Sequence, residues 1–363
     1  MKHQVRIWDL PTRLFHWLLV VAFILAWLSQ GDDRYLDIHV FSGYLFLGLL
    51  GFRLIWGIIG ARFYHFAWAA VWHYLKTLFT QQRQHFLGHN PAGSWAVFII
   101  LGLGLIVSFT GLLTLGGEER HGPFAGMISF ALGDSFHWWH NVTAWLMLGL
   151  VGIHLVGVLI ESGLHRENLV KAMITGFKST TSQVASVPRH GLTAIAILLA
   201  ISAGSWSYFK GYFQQKAYQP FLGPKLPDNA LWREACGECH LAYHPTLLPA
   251  RSWQRMLAEQ HEHFEEDLDL DEETLVELHR FSANNAAESE LTEAAWKVSH
   301  STPFGQSPLR ITETSYWLEQ HENIADEVWQ QPMSRKGNCG ACHLDAELGT
   351  FEDAAMRLPD SIK

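Results

Sequence analysis

The sequence predicts an all-α protein in two parts: a transmembrane helical bundle of four helices plus a fifth linking helix, then a small, mostly helical domain outside the membrane. Three observations predict it. Of the 363 residues, 48% are apolar and only 17% charged, a membrane-like balance. The charge changes sign along the chain: residues 1–209 hold 13 Lys+Arg against 9 Asp+Glu, and residues 210–363 hold 13 against 26, giving +4 and −13. All four cysteines fall in the acidic part, in two C-x-x-C-H runs. The length suits two domains, and an acidic soluble domain disfavours nucleic acid and favours basic partners.

A spanning helix needs roughly 20 mostly apolar residues. Charge-free stretches predict five spans, Leu14–Gly31, Ile38 to about Gly60, Ser94–Gly117, Ser135–Ile160 and His190–Phe209. Arg53 interrupts the second near its end, where it is expected to snorkel to the headgroups. Ala61–Leu87 is aromatic and mixed, with Tyr64, Phe66, Trp68, Trp72 and Tyr74, and predicts a helix lying at the interface. Gly116-Gly117 and the scattered helix glycines predict close helix packing.

Lys/Arg bias sets orientation. With the N-terminus inside, Lys2, Arg6, Arg13, Arg53, Arg62, Lys76, Arg83, Arg166, Lys171, Lys178 and Arg189 face the cytoplasm, and only Arg34 and Arg120 fall outside. Five spans then put everything after Phe209 outside the membrane. The first apolar run lacks a small-residue cleavage site and is expected to act as a signal anchor. The division expected is 1–180 for the membrane domain, 181–215 for the fifth helix and connector, and 216–363 for the periplasmic domain.

Cys236-Gly237-Glu238-Cys239-His240 and Cys339-Gly340-Ala341-Cys342-His343 match the c-type haem attachment signature. Two thiols two residues apart reach two vinyl groups on one haem edge, and the adjacent His turns its ring under the iron. A four-Cys zinc site or a redox C-x-x-C would not require the trailing His twice. Such haem is attached outside the bacterial cytoplasmic membrane, where charge counting places this segment. For the sixth ligand, methionine would raise the potential relative to a second His. The soluble part offers Met256, Met333 and Met356, and His244, His261, His263, His279, His300 and His321. Four of the six histidines are expected to be merely solvated. His261 and His263 cannot present both rings on one helix face.

Ionisable groups within spans are rare and usually functional. His16 lies in the first span, His39 at the start of the second, and His137, His140 and His154 in the fourth. His140 and His154 are 14 residues apart, about 3.9 turns and about 21 Å of rise, so their rings share a face at two depths. Depth pairs His16 with His154 at an inner haem and His39 with His140 at an outer one. Haem sites built from facing helices of a bundle core are common. His137 can share the face of His140 and is the alternate outer ligand. His65, His73, His85 and His89 are expected at the surface of the cytoplasmic connection. The bland alternative is interfacial histidines bonded to carbonyls, which four residues pairing by depth disfavour.

These residues carry two resemblances. Val5-Arg6-Ile7-Trp8-Asp9 through Arg13-Leu14-Phe15-His16-Trp17, then Leu87-Gly88-His89-Asn90-Pro91, the His140/His154 pair, and Glu161-Ser162 through His165-Arg166-Glu167-Asn168-Leu169-Val170 make residues 1–180 resemble the bacterial cytochrome b561 family. That family includes the cytochrome b subunits of nickel-iron hydrogenases. The resemblance implies two b haems on four histidines, at the positions His16, His39, His140 and His154. Leu248-Pro249-Ala250-Arg251-Ser252-Trp253, His263-Phe264-Glu265-Glu266-Asp267 and Pro308-Leu309-Arg310-Ile311-Thr312-Glu313-Thr314 make residues 230–357 resemble the small dihaem cytochromes c that partner the sphaeroides haem protein. That resemblance implies bis-histidine c haems, with His263 and His321 as the distal ligands. It does not call for His244.

The cofactors expected are two haem b and two covalently bound haem c. The expected function is electron transport between the membrane quinone pool and a soluble periplasmic haem protein or cytochrome, as a quinol:cytochrome or haem-protein oxidoreductase of the bacterial inner membrane. Bis-histidine ligation leaves no open coordination site, so the irons should pass electrons and not activate oxygen. No nucleophile-and-base constellation or phosphate-binding glycine loop is present. One alternative is a membrane anchor for a larger oxidoreductase. Another is superoxide oxidation at the outer b haem, for which only Arg34 and Arg120 are available, beside Asp32, Asp33, Glu118 and Glu119.

Overall fold

A computed structural model describes residues 3–31, 35–59, 68–77, 86–181, 183–214, 224–331 and 334–357. The expectations for Lys2, Asp32, Asp33, Arg34, Arg62, Tyr64, His65, Phe66, Arg83, His85 and Met333 lie outside the described residues. The chain divides into two compact units. The first takes in residues 1–31, 38–114 and 134–215, and the second residues 32–37, 115–133 and 216–363.

In the first unit a short strand, β1 (His3–Arg6), leads into α1 (Leu10–Ser29). Asp9 caps α1: its Oδ1 accepts the Thr12 amide at 2.9 Å, satisfying one of the helix's orphan N–H groups. Its Oδ2 accepts from the Trp56 indole at 3.0 Å and from His190 Nδ1 at 3.1 Å. This carboxylate therefore ties three helices at one end of the unit. There follow α2 (Leu36–Ile59), α3 (Trp68–Thr77), α4 (Pro91–Gly117), α5 (Phe130–His165), α6 (Leu169–Thr175), β2 (Phe177–Thr180) and α7 (Gly191–Gln214). Five of them, α1, α2, α4, α5 and α7, are long and apolar enough to cross a membrane. The core joins Phe15 and Ala22 of α1 to Phe46, Leu49 and Leu50 of α2, Leu101 of α4 and Met147 of α5.

Four expectations are adjusted here. The helices run beyond the charge-free stretches, because polar and charged ends such as Glu161 and His165 stay helical. Secondary structure is mostly helical but includes a two-stranded antiparallel ribbon, in which β1 pairs with β2 from His3 opposite Thr180 to Arg6 opposite Phe177. The predicted interfacial segment contributes α3, with Trp72 exposed and Tyr74 buried. Arg53 does not snorkel: it is 7% exposed and its guanidinium lies 6.0 Å from the centre of the Phe15 ring. A cation over a ring face recovers part of the cost of burial.

The second unit contains α8 (Ala230–Gly237), α9 (Ala250–Ala258), α10 (Glu272–Asn285), α11 (Glu293–Ser301), α12 (Ser315–Gln320) and α13 (Asp326–Trp329), joined by short 3₁₀ turns. Asn229, Asp271, Thr292 and Thr314 cap α8, α10, α11 and α12 with side-chain oxygens. Its main core packs Trp232, Leu248, Trp253, Leu257, Leu278 and Ala286. Gly116 and Gly117 permit the close approaches the sequence predicted, but most of the scattered helix glycines do not: a Cβ at Gly43, Gly48, Gly51, Gly102, Gly149 or Gly152 would meet nothing within 4 Å. A Cβ on Gly117 would stand 2.5 Å from Gly133 Cα, and one on Gly116 would stand 2.8 Å from the Phe124 carbonyl oxygen.

Candidate haem-binding sites

In the first unit His39 of α2 faces His140 of α5, with ring centroids 6.0 Å apart and planes at 84°. Two imidazoles bound on opposite sides of one metal, each nitrogen roughly 2 Å from it, hold their centroids about 6 Å apart. Both rings are oriented by backbone carbonyls. His39 Nδ1 donates to Ala26 O at 2.9 Å and His140 Nδ1 to Val107 O at 3.0 Å. A donated Nδ1 proton leaves the lone pair on Nε2 for a metal. Gly111 lies against this ring: a Cβ there would be 3.0 Å from His140 Cε1. His137 is exposed, and the ring that faces His39 is that of His140.

At the other depth, His16 of α1 and His154 of α5 are electrostatic neighbours. His16 Nδ1 is buried without a hydrogen-bond partner among the described residues. Two turns beyond His154, Glu161 accepts from the Tyr74 hydroxyl at 2.5 Å, and that hydroxyl accepts from Asn90 Nδ2 at 2.8 Å. Glu161 also pairs with His165 at 3.5 Å. This explains the sequence run around Asn90-Pro91, whose Asn90 Oδ1 also accepts the Gly93 amide. His89, expected at the surface, is half-buried with its ring 4.8 Å from that of Trp8, whereas His73 is exposed.

The second unit repeats the facing-ring geometry twice. His240 and His263 have centroids 6.3 Å apart, and His321 and His343 have centroids 6.2 Å apart. His240 Nδ1 donates to Leu241 O and His321 Nδ1 to Trp317 O, both at 2.8 Å. His263 sits at the end of a 3₁₀ turn after α9, and His321 closes α12. Trp317, one turn earlier, stacks on His321 with centroids 4.2 Å apart and planes at 14°. Burial holds the His321 and His343 imidazoles below their ordinary pKa, which keeps a lone pair available near neutral pH. Beside this pair is a cavity of about 240 Å³ lined by Trp317, Cys339, Cys342, Phe351 and Met356 among others. Met356 lines it, yet the ring facing His343 is that of His321.

Three of the remaining histidines of this unit have other partners. His244 caps a 3₁₀ turn through Thr246 and bonds Pro227 O at 3.0 Å. His261 pairs with Asp267 at 2.8 Å, and His300 bonds Trp296 O at 2.9 Å. The donor set therefore fits haem iron: three imidazole pairs at metal-bridging separation, two of them with C-x-x-C in sequence just before one partner. Spacing in the sequence does not signal Trp317, Gly111 or Tyr243, which support these rings.

Such a set defines an integral membrane haem protein with a second, c-type haem unit. Residues 7–176 match the model of the prokaryotic cytochrome b561 family, and residues 232–351 match that of dihaem cytochrome c. The chain thus joins a prokaryotic cytochrome b561 domain to a dihaem cytochrome c domain, and these imply haem b and haem c. It is similar to the probable Ni/Fe-hydrogenase B-type cytochrome subunit of Azotobacter vinelandii, 25% identical over 48% of this chain and 88% of the relative. The corresponding subunit of Escherichia coli O157:H7 is 23% identical over 48% of this chain and 90% of the relative. Among solved structures, the diheme cytochrome c from Rhodobacter sphaeroides is 33% identical, covering 35% of this chain and all of that one, with a TM-score of 0.32.

Proposed function

We propose that this protein carries electrons between the membrane quinone pool and a soluble periplasmic haem protein or cytochrome, through two b haems and two covalently attached c haems. The observation that carries this reading is the set of imidazole pairs at 6.0, 6.3 and 6.2 Å. Haem supplies one-electron chemistry, and the polypeptide sets spacing, ligand identity and burial. His39 and His140 would hold the outer b haem, and His16 and His154 the inner one. Cys236, Cys239 and His240 with His263 would hold one c haem, and Cys339, Cys342 and His343 with His321 the other. Carbonyls behind His39, His140, His240 and His321 fix the ring tautomer, which keeps the coordinating nitrogen in place during electron transfer.

The Lys/Arg bias supports a bacterial inner-membrane location with the N-terminus in the cytoplasm. Residues 1–180 then serve as the membrane domain, 181–215 as the fifth helix and connector, and 216–363 as the periplasmic domain. A pyridine haemochrome assay of the purified protein tests the cofactor count. The expected b-to-c ratio is 2:2, and a b content near zero would overturn the membrane half.

A second reading rests on the names of the curated relatives. As a cytochrome b subunit, the chain would anchor a separate catalytic protein, and a large metalloenzyme would co-purify with it from native membranes. Superoxide oxidation is less well supported. Arg120 is engaged, its guanidinium 3.9 Å from the centre of the Phe130 ring and bonded to Ile128 O at 2.9 Å, and Glu118 and Glu119 beside it are both buried.

A further inference from the structure

We propose that Tyr243 is the bridge that fixes the two c-haem motifs relative to each other and sets the rate at which an electron passes between them. The inference rests on the two-c-haem reading above. Tyr243 lies three residues after the His240 of the first motif, with its ring 5.3 Å from the His240 ring and tilted by 31°. Its hydroxyl reaches the second motif, donating to the carbonyl of Gly337, two residues before Cys339, at 2.6 Å. The same hydroxyl interacts with the Cys339 sulfur. One side chain therefore touches the axial imidazole of one motif and the thioether position of the other.

The bridge is anchored at its base. The Tyr243 carbonyl accepts the Trp232 indole N–H at 3.0 Å, and Trp232 is part of the buried core. Gly337, Asn338 and Gly340 are exposed, and a cleft lined by His240, Leu241, Gly337, Asn338, Cys339 and Gly340 separates the two runs. A phenol hydroxyl is an uncharged donor at physiological pH. A longer or looser path weakens electronic coupling between two carriers. Holding the motifs through one short, uncharged hydrogen bond limits that loosening.

The test uses the full-length purified protein. Tyr243→Phe keeps the ring against His240 and removes the hydroxyl, and Tyr243→Leu removes both. Rapid photoreduction followed by absorbance reports how fast an electron redistributes between the two c haems. Haemochrome analysis of the same samples counts c haem independently, so a miscounted cofactor is not mistaken for a failed bridge. With two c haems per chain, Tyr243→Phe should slow redistribution several-fold. Tyr243→Leu should slow it further, and His261→Gln, at an exposed histidine paired with Asp267, should leave it unchanged. A wild-type rate in Tyr243→Phe with both haems attached overturns the proposal, as does equal slowing in His261→Gln. If Tyr243→Leu loses haem, the Phe variant alone decides.

Discussion

Glu352 makes the c-type unit sensitive to pH. It is 8% exposed, and burial, then the charges of Asp345 and Asp353, push its carboxyl up to about 8 from an ordinary 4.5. The folded state therefore binds a proton that the unfolded chain has lost. Its contribution is fully present below about 4.5 and fades as pH rises through about 8. Thermal unfolding of this unit, followed by near-ultraviolet circular dichroism, should show a midpoint that falls between pH 5 and 9. Glu352→Gln should flatten that slope, and an undiminished slope would place the proton elsewhere. The residues that chemistry constrains most tightly were legible in the sequence. C-x-x-C-H admits no substitute at Cys236 or Cys339, and an imidazole within a span is costly unless used. Glu352 was not legible, since nothing in its neighbours says that it is buried beside two other carboxylates. The half-burial of His89 was not legible for the same reason: Trp8, whose ring it meets, is distant in sequence.

At the scale of elements, the approach of α4 to α5 decides the outer histidine pair. Gly111 on α4 leaves room for the His140 ring, and Val107, one turn earlier, supplies the carbonyl that orients it. A methyl at position 111 would stand 3.0 Å from the ring, tighter than packed side chains tolerate without movement. Gly111→Ala should shift the ring off the Val107 carbonyl and reduce b-haem content by about half, with c-haem content unchanged. Unchanged b content together with an unchanged b-haem potential would contradict this. The five long helices were readable because about 20 apolar residues leave few alternatives. The β1–β2 ribbon was not, because four-residue strands carry too little periodicity to announce themselves. Arg53 was read as a snorkelling residue because its distance from the helix end is visible in sequence, whereas the Phe15 ring that receives it is not.

Across the whole molecule, composition separated a slightly basic apolar part from an acidic soluble one, and the two family matches fall on opposite sides of that change. The two resemblances assign a chemistry to each part, and the central claim concerns traffic between them. The most direct measurement is anaerobic reduction of the c haems by a short-chain quinol in purified protein reconstituted into vesicles. The wild-type chain should show the c-haem reduction spectrum after quinol is added. His154→Ala should lose quinol-dependent reduction while keeping its full c-haem content. Rapid reduction of the c haems in His154→Ala, or no reduction in a wild-type protein that holds all four haems, would contradict the account.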